Sequence, residues 1–502
     1  MKEKIKKVIL WKPAAWMVAG GMLLLLALAL IPLLRMTLYT APWYDDYSFG
    51  ASVKNALSVE YSLKSALKGA YGCAVGMYYA WQGCFSCSFF NSLVPMVWRE
   101  DLYFIGPAFL ILFLSLSVFI LVWVLVRDVL GADLMSGITV SAVMSIMAVM
   151  LIHTAQQGFY WYVGGMSYVG MHACFLLLAA GWIRLLCGTK RIATALLMLW
   201  TMAAALIIGG ANYVTALQGA VLAAGLFFLG IFLKNKRAWY LLPSVLIDIG
   251  FFLCSVAAPG NSKRSVWFVA VKMGAAEAVA NSFVQGFRYA WRFTGWMTLA
   301  ILVVLLPVLF RILRRTDFSF RFPGLVSLGS FCFYCTGFTP NLYAQGMEGL
   351  SRSLNNVKIT WQILLFMNLV YWLGWIRGKR KAKGKEFPGL FANGAPFLFY
   401  AAMGLVMLLV FSRETNPLGT YSSFGAYYWI HTGEANEFHK EYLARVQTIR
   451  EGGDQVVVTP YHFRPWFLSM GELTEDPDNE ANRTMADWYG KQSVICISEG
   501  NG

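Results

Sequence analysis

Apolar runs of membrane-crossing length follow one another along most of this chain, and no other feature restricts its fold as tightly. Taking about 18 apolar residues as the length needed to cross a bilayer core as helix, runs fall at roughly 13–35, 102–126, 133–153, 168–187, 192–210, 213–233, 239–257, 294–313, 322–341, 356–376 and 389–411. With 58% hydrophobic and 13% charged residues over 502 positions, the composition is too apolar for a water-soluble chain. The expected fold is an all-α polytopic membrane protein of about 11 transmembrane helices. Residues 1–411 form that part, and 412–502 form a small α/β domain at its end.

Orientation follows from the basic residues, because short cytoplasmic loops retain Lys and Arg. Lys2, Lys4, Lys6, Lys7 and Lys12 precede the first run, and every second connection thereafter is basic, ending with six basic groups between Arg377 and Lys385. These stretches hold 22 of the 41 basic residues. The N-terminus is therefore expected inside, and the odd number of spans places the tail outside. The first run has the basic lead of a secretory signal, yet its length and lack of a small-residue cleavage site mark it as an uncleaved signal anchor.

The net charge of +15 combines two unlike parts. Beyond residue 411 there are 7 Lys and Arg against 13 Asp and Glu, and the remainder carries the basic excess. Topology and anionic lipid account for that excess, and no basic-aromatic nucleic-acid motif is present. Among the nine cysteines, Cys84 and Cys87 have the spacing of a strained local disulfide, while Cys332 and Cys335 fall in an apolar run where packing explains them. Partners at zinc-site spacing are missing from the sequence.

The distinctive polar motifs all fall on the expected outer side. Asp45 and Asp46 follow the first run, in the loop 36–101. Gln156 to Gly165, Gly209 to Tyr213, Ala258 to Arg264 and Asn341 to Arg352 follow the third, fifth, seventh and ninth. Few ionisable residues interrupt the runs, Asp248 being the clearest exception. A translocation path would need polar groups at the bilayer midplane, so a one-sided site suits an outer-face enzyme. Two external segments have the pattern of helices lying on the membrane, Val53 to Ala70 and the segment 266–292. On the second, Arg288 and Arg292 sit one turn apart, at the spacing that meets a phosphate.

An acidic pair in the first external loop, juxtamembrane helices, about eleven spans and an external tail together resemble the C-type, polyprenyl-phosphate-sugar-dependent membrane glycosyltransferase superfamily. The tracts Trp43 to Phe49, Trp161 to Gly165 and Pro259 to Arg264 are similar to an uncharacterised bacterial membrane protein family related to phage-type glucosyltransferases. The resemblance covers about residues 13–411 and leaves the tail unplaced. It implies a polyprenyl-phosphate-linked sugar as donor, a cell-envelope glycan as acceptor and catalysis at the outer face of the cytoplasmic membrane.

On that resemblance, Asp46 or Asp45 is the base that takes the acceptor proton, with Asp46 favoured for the polar Tyr47 and Ser48 beside it. In an extended segment only one of the two can face the site, leaving the other to orient the loop or hold a divalent cation. Arg264, Arg288, Arg292 and Arg352, with Lys263, are the candidates to stabilise the departing phosphate. Tyr47, Tyr160, Trp161 and Tyr343 are candidate sugar-stacking rings, Asn261 and Gln345 candidate hydroxyl partners, and Glu348 a second candidate base. The rival readings are a polysaccharide exporter or flippase, and an oligosaccharide polymerase or ligase.

Overall fold

The computed structural model describes residues 10–266, 271–384 and 395–497. The basic leader before residue 10, the start of the segment 266–292 and the start of the run 389–411 therefore lie outside the described residues. Each of the eleven apolar runs carries a helix, and the described strands form a single two-stranded sheet.

Among the described residues, seven helices are long and apolar enough to cross a membrane: Ala15–Tyr39, Glu100–Val129, Tyr162–Cys187, Arg191–Gly209, Tyr213–Phe232, Trp296–Arg315 and Ser351–Ala382. An eighth forms if Leu242–Val256 and Pro259–Ser265, bent by 45°, count as one span. The remaining runs fall short of the expected eleven by length. Leu134–Met150 and Phe397–Ser412 have 17 and 16 residues. The run 322–341 divides into Pro323–Cys335 and Thr339–Gln345. Proline sets both breaks, since Pro259 and Pro340 each sit in the first turn of a new helix, where the missing N–H costs nothing.

The first polar loop is more structured than one surface helix over Val53 to Ala70. It folds into Tyr44–Val59, Leu63–Ala80 and Phe85–Ser92. The break comes at Glu60 to Ser62, where the Ser62 hydroxyl accepts the Ser65 N–H at 3.2 Å and starts the second helix. The two halves pack closely at Gly69, where a Cβ would stand 2.8 Å from the Ser52 carbonyl oxygen. In the segment 266–292 the helix is Ala275–Phe293. Cys84 and Cys87 are buried free thiols, and Cys87 Sγ donates instead to the Ser167 carbonyl at 3.6 Å.

The first part of the tail packs on the bundle. The helix Ser422–His431 belongs to the bundle, since the Ser422 and Ser423 hydroxyls donate to the carbonyls of Val149 and Ala29 at 2.7 and 2.8 Å. From Glu434 the chain forms the helix Glu434–Glu451, two parallel strands (Gln455–Val458 and Ser493–Cys496) and the helix Glu480–Tyr489. Their apolar side shares one core with the first loop: Ile449, Val456, Met485, Trp488 and Val494 pack with Tyr47, Val53 and Leu57. Arg450 pairs with Glu100 at 2.8 Å across the same seam. The tail is thus held against the helices that carry the acidic pair.

Candidate functional site

Asp45 and Asp46 occupy the first turn of the helix Tyr44–Val59, not an extended segment. Carboxylates are favoured there by the unpaired N–H groups of a helix start. Successive helical side chains diverge by about 100°, so the two face different surroundings. Asp46 points into the protein and is fully buried. Its Oδ2 accepts the Trp43 N–H at 2.9 Å and the Tyr103 hydroxyl at 2.8 Å, and its Oδ1 accepts the Val163 N–H at 3.0 Å. Burial pushes the carboxyl up to about 7 against the opposing pull of those three donors. Those three bonds make Asp46 a tie between the first loop and the Trp161–Val163 turn, and it does not line the cavity that Asp45 faces.

Asp45 lines a cavity of about 570 Å³, walled by Arg264, Arg352, Trp161 and Gln345 and by the tail residue Glu480. Burial raises the Asp45 carboxyl to about 6; Arg352 pulls it down and Glu480 pushes it further up. Arg352 lies over the rings of Trp161 and Tyr168, at 5.3 and 5.8 Å to their centroids. Arg264 hydrogen-bonds Gln82 Oε1 and lies 5.3 Å from the Trp81 ring centroid. The site therefore holds two carboxylates, two guanidinium groups, amides and flat aromatic faces.

A junction of close backbone contacts positions Arg264. A Cβ on Gly83 would fall 1.9 Å from the Ser255 carbonyl oxygen, and one on Gly260 would fall 2.7 Å from the Trp81 nitrogen. Asn261 locks the same junction: its Oδ1 accepts from the Tyr213 hydroxyl at 2.6 Å and the Gly83 N–H at 3.1 Å. The Pro259 to Arg264 segment is accordingly a short helix pressed onto the end of Leu63–Ala80, and Asn261 is a bracket for it.

Other candidates lie elsewhere. Tyr47 is buried against Trp488, ring centroids 5.4 Å apart, and Tyr160 stacks on Phe467 while donating to the Leu33 carbonyl at 3.2 Å. Both rings belong to the core, so neither offers a face to a sugar. Lys263, Arg288 and Tyr343 are exposed and do not line this cavity. Glu348 accepts the Tyr289 hydroxyl at 3.0 Å and, with Arg292, lines a different cavity of about 950 Å³.

Glu480 carried no signal in the sequence. It is bonded to the Tyr44 hydroxyl at 2.6 Å, between residues 436 positions apart. Gln82 and Tyr168 also reach the cavity, as does Asn341 from the polar motif that ends at Arg352. Among the described residues, no group of three or more His, Cys, Asp and Glu side chains gathers as metal ligands.

Fold and site together define a helical membrane protein with an acidic, arginine-bearing and aromatic cavity at the helix ends. No family model, curated protein or solved structure matches the chain.

Proposed function

We propose that the protein is a membrane glycosyltransferase that moves a sugar from a polyprenyl-phosphate donor to a cell-envelope glycan. The observation that supports it is the meeting of Asp45, Arg264 and Arg352 at one aromatic-walled cavity. In this reading Asp45 takes the proton of an acceptor hydroxyl as that oxygen attacks the anomeric carbon. The bond from that carbon to the phosphate oxygen breaks, and the phosphate leaves with the electron pair. Its charge grows in the transition state, where fixed guanidinium groups stabilise it most. Trp161 and Tyr168 supply flat faces for sugar rings, and Gln345 and Asn341 supply hydroxyl partners.

The same proposal places the cavity at the outer face of a bacterial cytoplasmic membrane, with all eleven apolar helices crossing it. The shorter ones are completed by neighbouring turns, as Pro259–Ser265 extends Leu242–Val256. An exporter or flippase is the rival. Asp248 favours it, being buried within its helix with neither carboxylate oxygen bonded among the described residues.

The test is transfer of a labelled sugar from a polyprenyl-phosphate donor in proteoliposomes. Asp45→Asn should lower turnover by about 10²–10⁴ while donor binding persists. Full turnover in that variant would remove Asp45 as base. Donor movement across the bilayer without any sugar transfer would favour the exporter.

A further inference from the structure

Two polar groups of the Asp45 cavity have no use in the transfer step. The first is on the helix Phe85–Ser92. Cys84, Cys87, Ser88 and Asn91 recur at the three- and four-residue spacing of one helical face, and all four are buried and line the cavity. Asn91 Nδ2 donates to the Ser167 hydroxyl at 2.8 Å, and Cys87 Sγ donates to the Ser167 carbonyl at 3.6 Å. Asn91 Oδ1 has no hydrogen-bond partner among the described residues, although the side chain is only 2% exposed.

The second is Trp161, on the turn that leads to Ser167. A Cβ on Gly164 would collide with Trp161 Cε3 and stand 2.8 Å from Cζ3, so the indole rests its six-membered ring on that glycine. Asp46 holds the same turn through the Val163 N–H. The opposite edge of the indole carries Nε1–H, which is buried and has no partner among the described residues. One acceptor and one donor thus wait at a single cavity. A ligand that supplies the complementary pair gains most, because a buried polar group left unpaired is costly. An amide supplies both, its N–H for Asn91 Oδ1 and its carbonyl for Trp161 Nε1–H. A hydroxyl meets either residue singly and leaves the thiol wall unused. Burial pushes the Cys84 thiol up to about 12 and the Cys87 thiol well above its ordinary value, so both stay neutral and offer an apolar seat.

We propose that the cavity selects an acetamido sugar, with its amide N–H on Asn91 Oδ1, its amide carbonyl on Trp161 Nε1–H and its methyl group against Cys84 and Cys87. The inference rests on the sugar-transfer reading and narrows its substrate to an N-acetylated hexosamine. That sugar is either the one transferred or the one that receives it, and the chemistry of recognition is the same for both.

The experiment titrates methyl N-acetyl-β-D-glucosaminide and methyl β-D-glucoside into the purified full-length protein. Beside it, transfer is measured in proteoliposomes from polyprenyl-phosphate donors carrying N-acetylglucosamine or glucose. The acetamido glycoside should bind at least about tenfold more tightly, since two hydrogen bonds and a seated methyl each contribute several-fold. Asn91→Leu, close in size but without an acceptor, should abolish most of that preference. Asn91→Asp should retain it, because an acceptor oxygen remains, although both variants lose the amide donor to Ser167. Trp161→Phe keeps a flat ring without the N–H and should reduce the preference several-fold. Equal binding of the two glycosides would overturn the proposal, as would a preference that survives both Asn91→Leu and Trp161→Phe. Equal loss in Asn91→Leu and Asn91→Asp would make Asn91 a prop for Ser167 and overturn its part in recognition. Faster transfer from the N-acetylglucosamine donor places the amide on the transferred sugar. Equal transfer from both donors, with the glycoside preference intact, places it on the acceptor. Transfer without any acetamido preference would sink this inference and leave the glycosyltransferase standing. Selective binding in a protein that transfers neither sugar would do the reverse.

Discussion

At the scale of single residues, a rotation of one helical position gives two adjacent aspartates different surroundings, the protein interior for Asp46 and a cavity for Asp45. Asp46 has three protein donors within 3.0 Å, so Asp46→Ala strands buried N–H and O–H groups. Each stranded group costs about 1–3 kcal/mol. Asp46→Ala should therefore lower the melting temperature sharply at neutral pH, whereas Asp45→Asn, which removes a charge that burial disfavours, should hold or raise it. Equal melting temperatures for the two variants would contradict this division. The pH dependence separates them as well. A base must be ionised, so transfer should rise with pH through about 6, the value to which Asp45 is pushed. Arg352 lowers that value and Glu480 raises it, so Arg352→Gln should move the rising limb to higher pH and Glu480→Gln to lower pH. Identical limbs in both variants would detach these groups from Asp45. For stability the sign is the reverse of that for activity. A carboxyl raised above its unfolded value contributes stability that is present below about 4 and is lost as pH climbs through about 6.

At the scale of elements, the site depends on how tightly short helices approach one another. Hydrophobic periodicity indicated helices over Val53 to Ala70 and in the segment 266–292, but their ends and partners, and the short helix Pro259–Ser265, came from contacts. The Gly83 and Gly260 approaches bring Pro259–Ser265 against the end of Leu63–Ala80, which is what sets Arg264 beside Gln82. Gly83→Ala must separate backbone from backbone, because the nearest atoms are the Ser255 carbonyl and the rigid Ala258 Cβ. It should cost at least about 2 kcal/mol and lower transfer together with stability. Gly72→Ala is the control, since a Cβ there meets nothing within 4 Å. A Gly83→Ala protein as stable as the Gly72→Ala protein would show that the junction is looser than described.

At the scale of the whole molecule, the tail completes the site instead of hanging from it. Trp488 seals the shared core against Tyr47, and Lys54 reaches the Trp488 carbonyl. Trp488→Ala should cost about 3–5 kcal/mol and loosen the wall that carries Glu480. Limited proteolysis checks it: faster cleavage is expected within 434–497, and an unchanged digestion pattern would contradict the docking. Topology has its own test. Six basic groups between Arg377 and Lys385 oppose translocation, so a cysteine at Lys381 should resist a membrane-impermeant reagent in intact cells while one at Asn479 reacts. The reverse labelling would invert the orientation and remove the outer-face site with it.

Hydropathy is a property of neighbours along the chain, so the sequence alone determined that apolar helices would dominate and roughly where each would lie, although among the described residues only seven of the eleven runs carry a single helix of membrane-crossing length. It also placed Asp45, Arg264, Arg352, Trp161 and Gln345 in loops on one expected side, because basic connections alternate with polar ones. Which aspartate faces the cavity depended on a helical first turn and on Val163, 117 positions away from Asp46. That Tyr47 and Tyr160 became core rings, and that Glu480 became a cavity wall, depended on packing between segments hundreds of residues apart. No local pattern encodes such pairings, since a side chain's partner is chosen by the surfaces that meet when the helices pack, and those surfaces exist only in the folded chain.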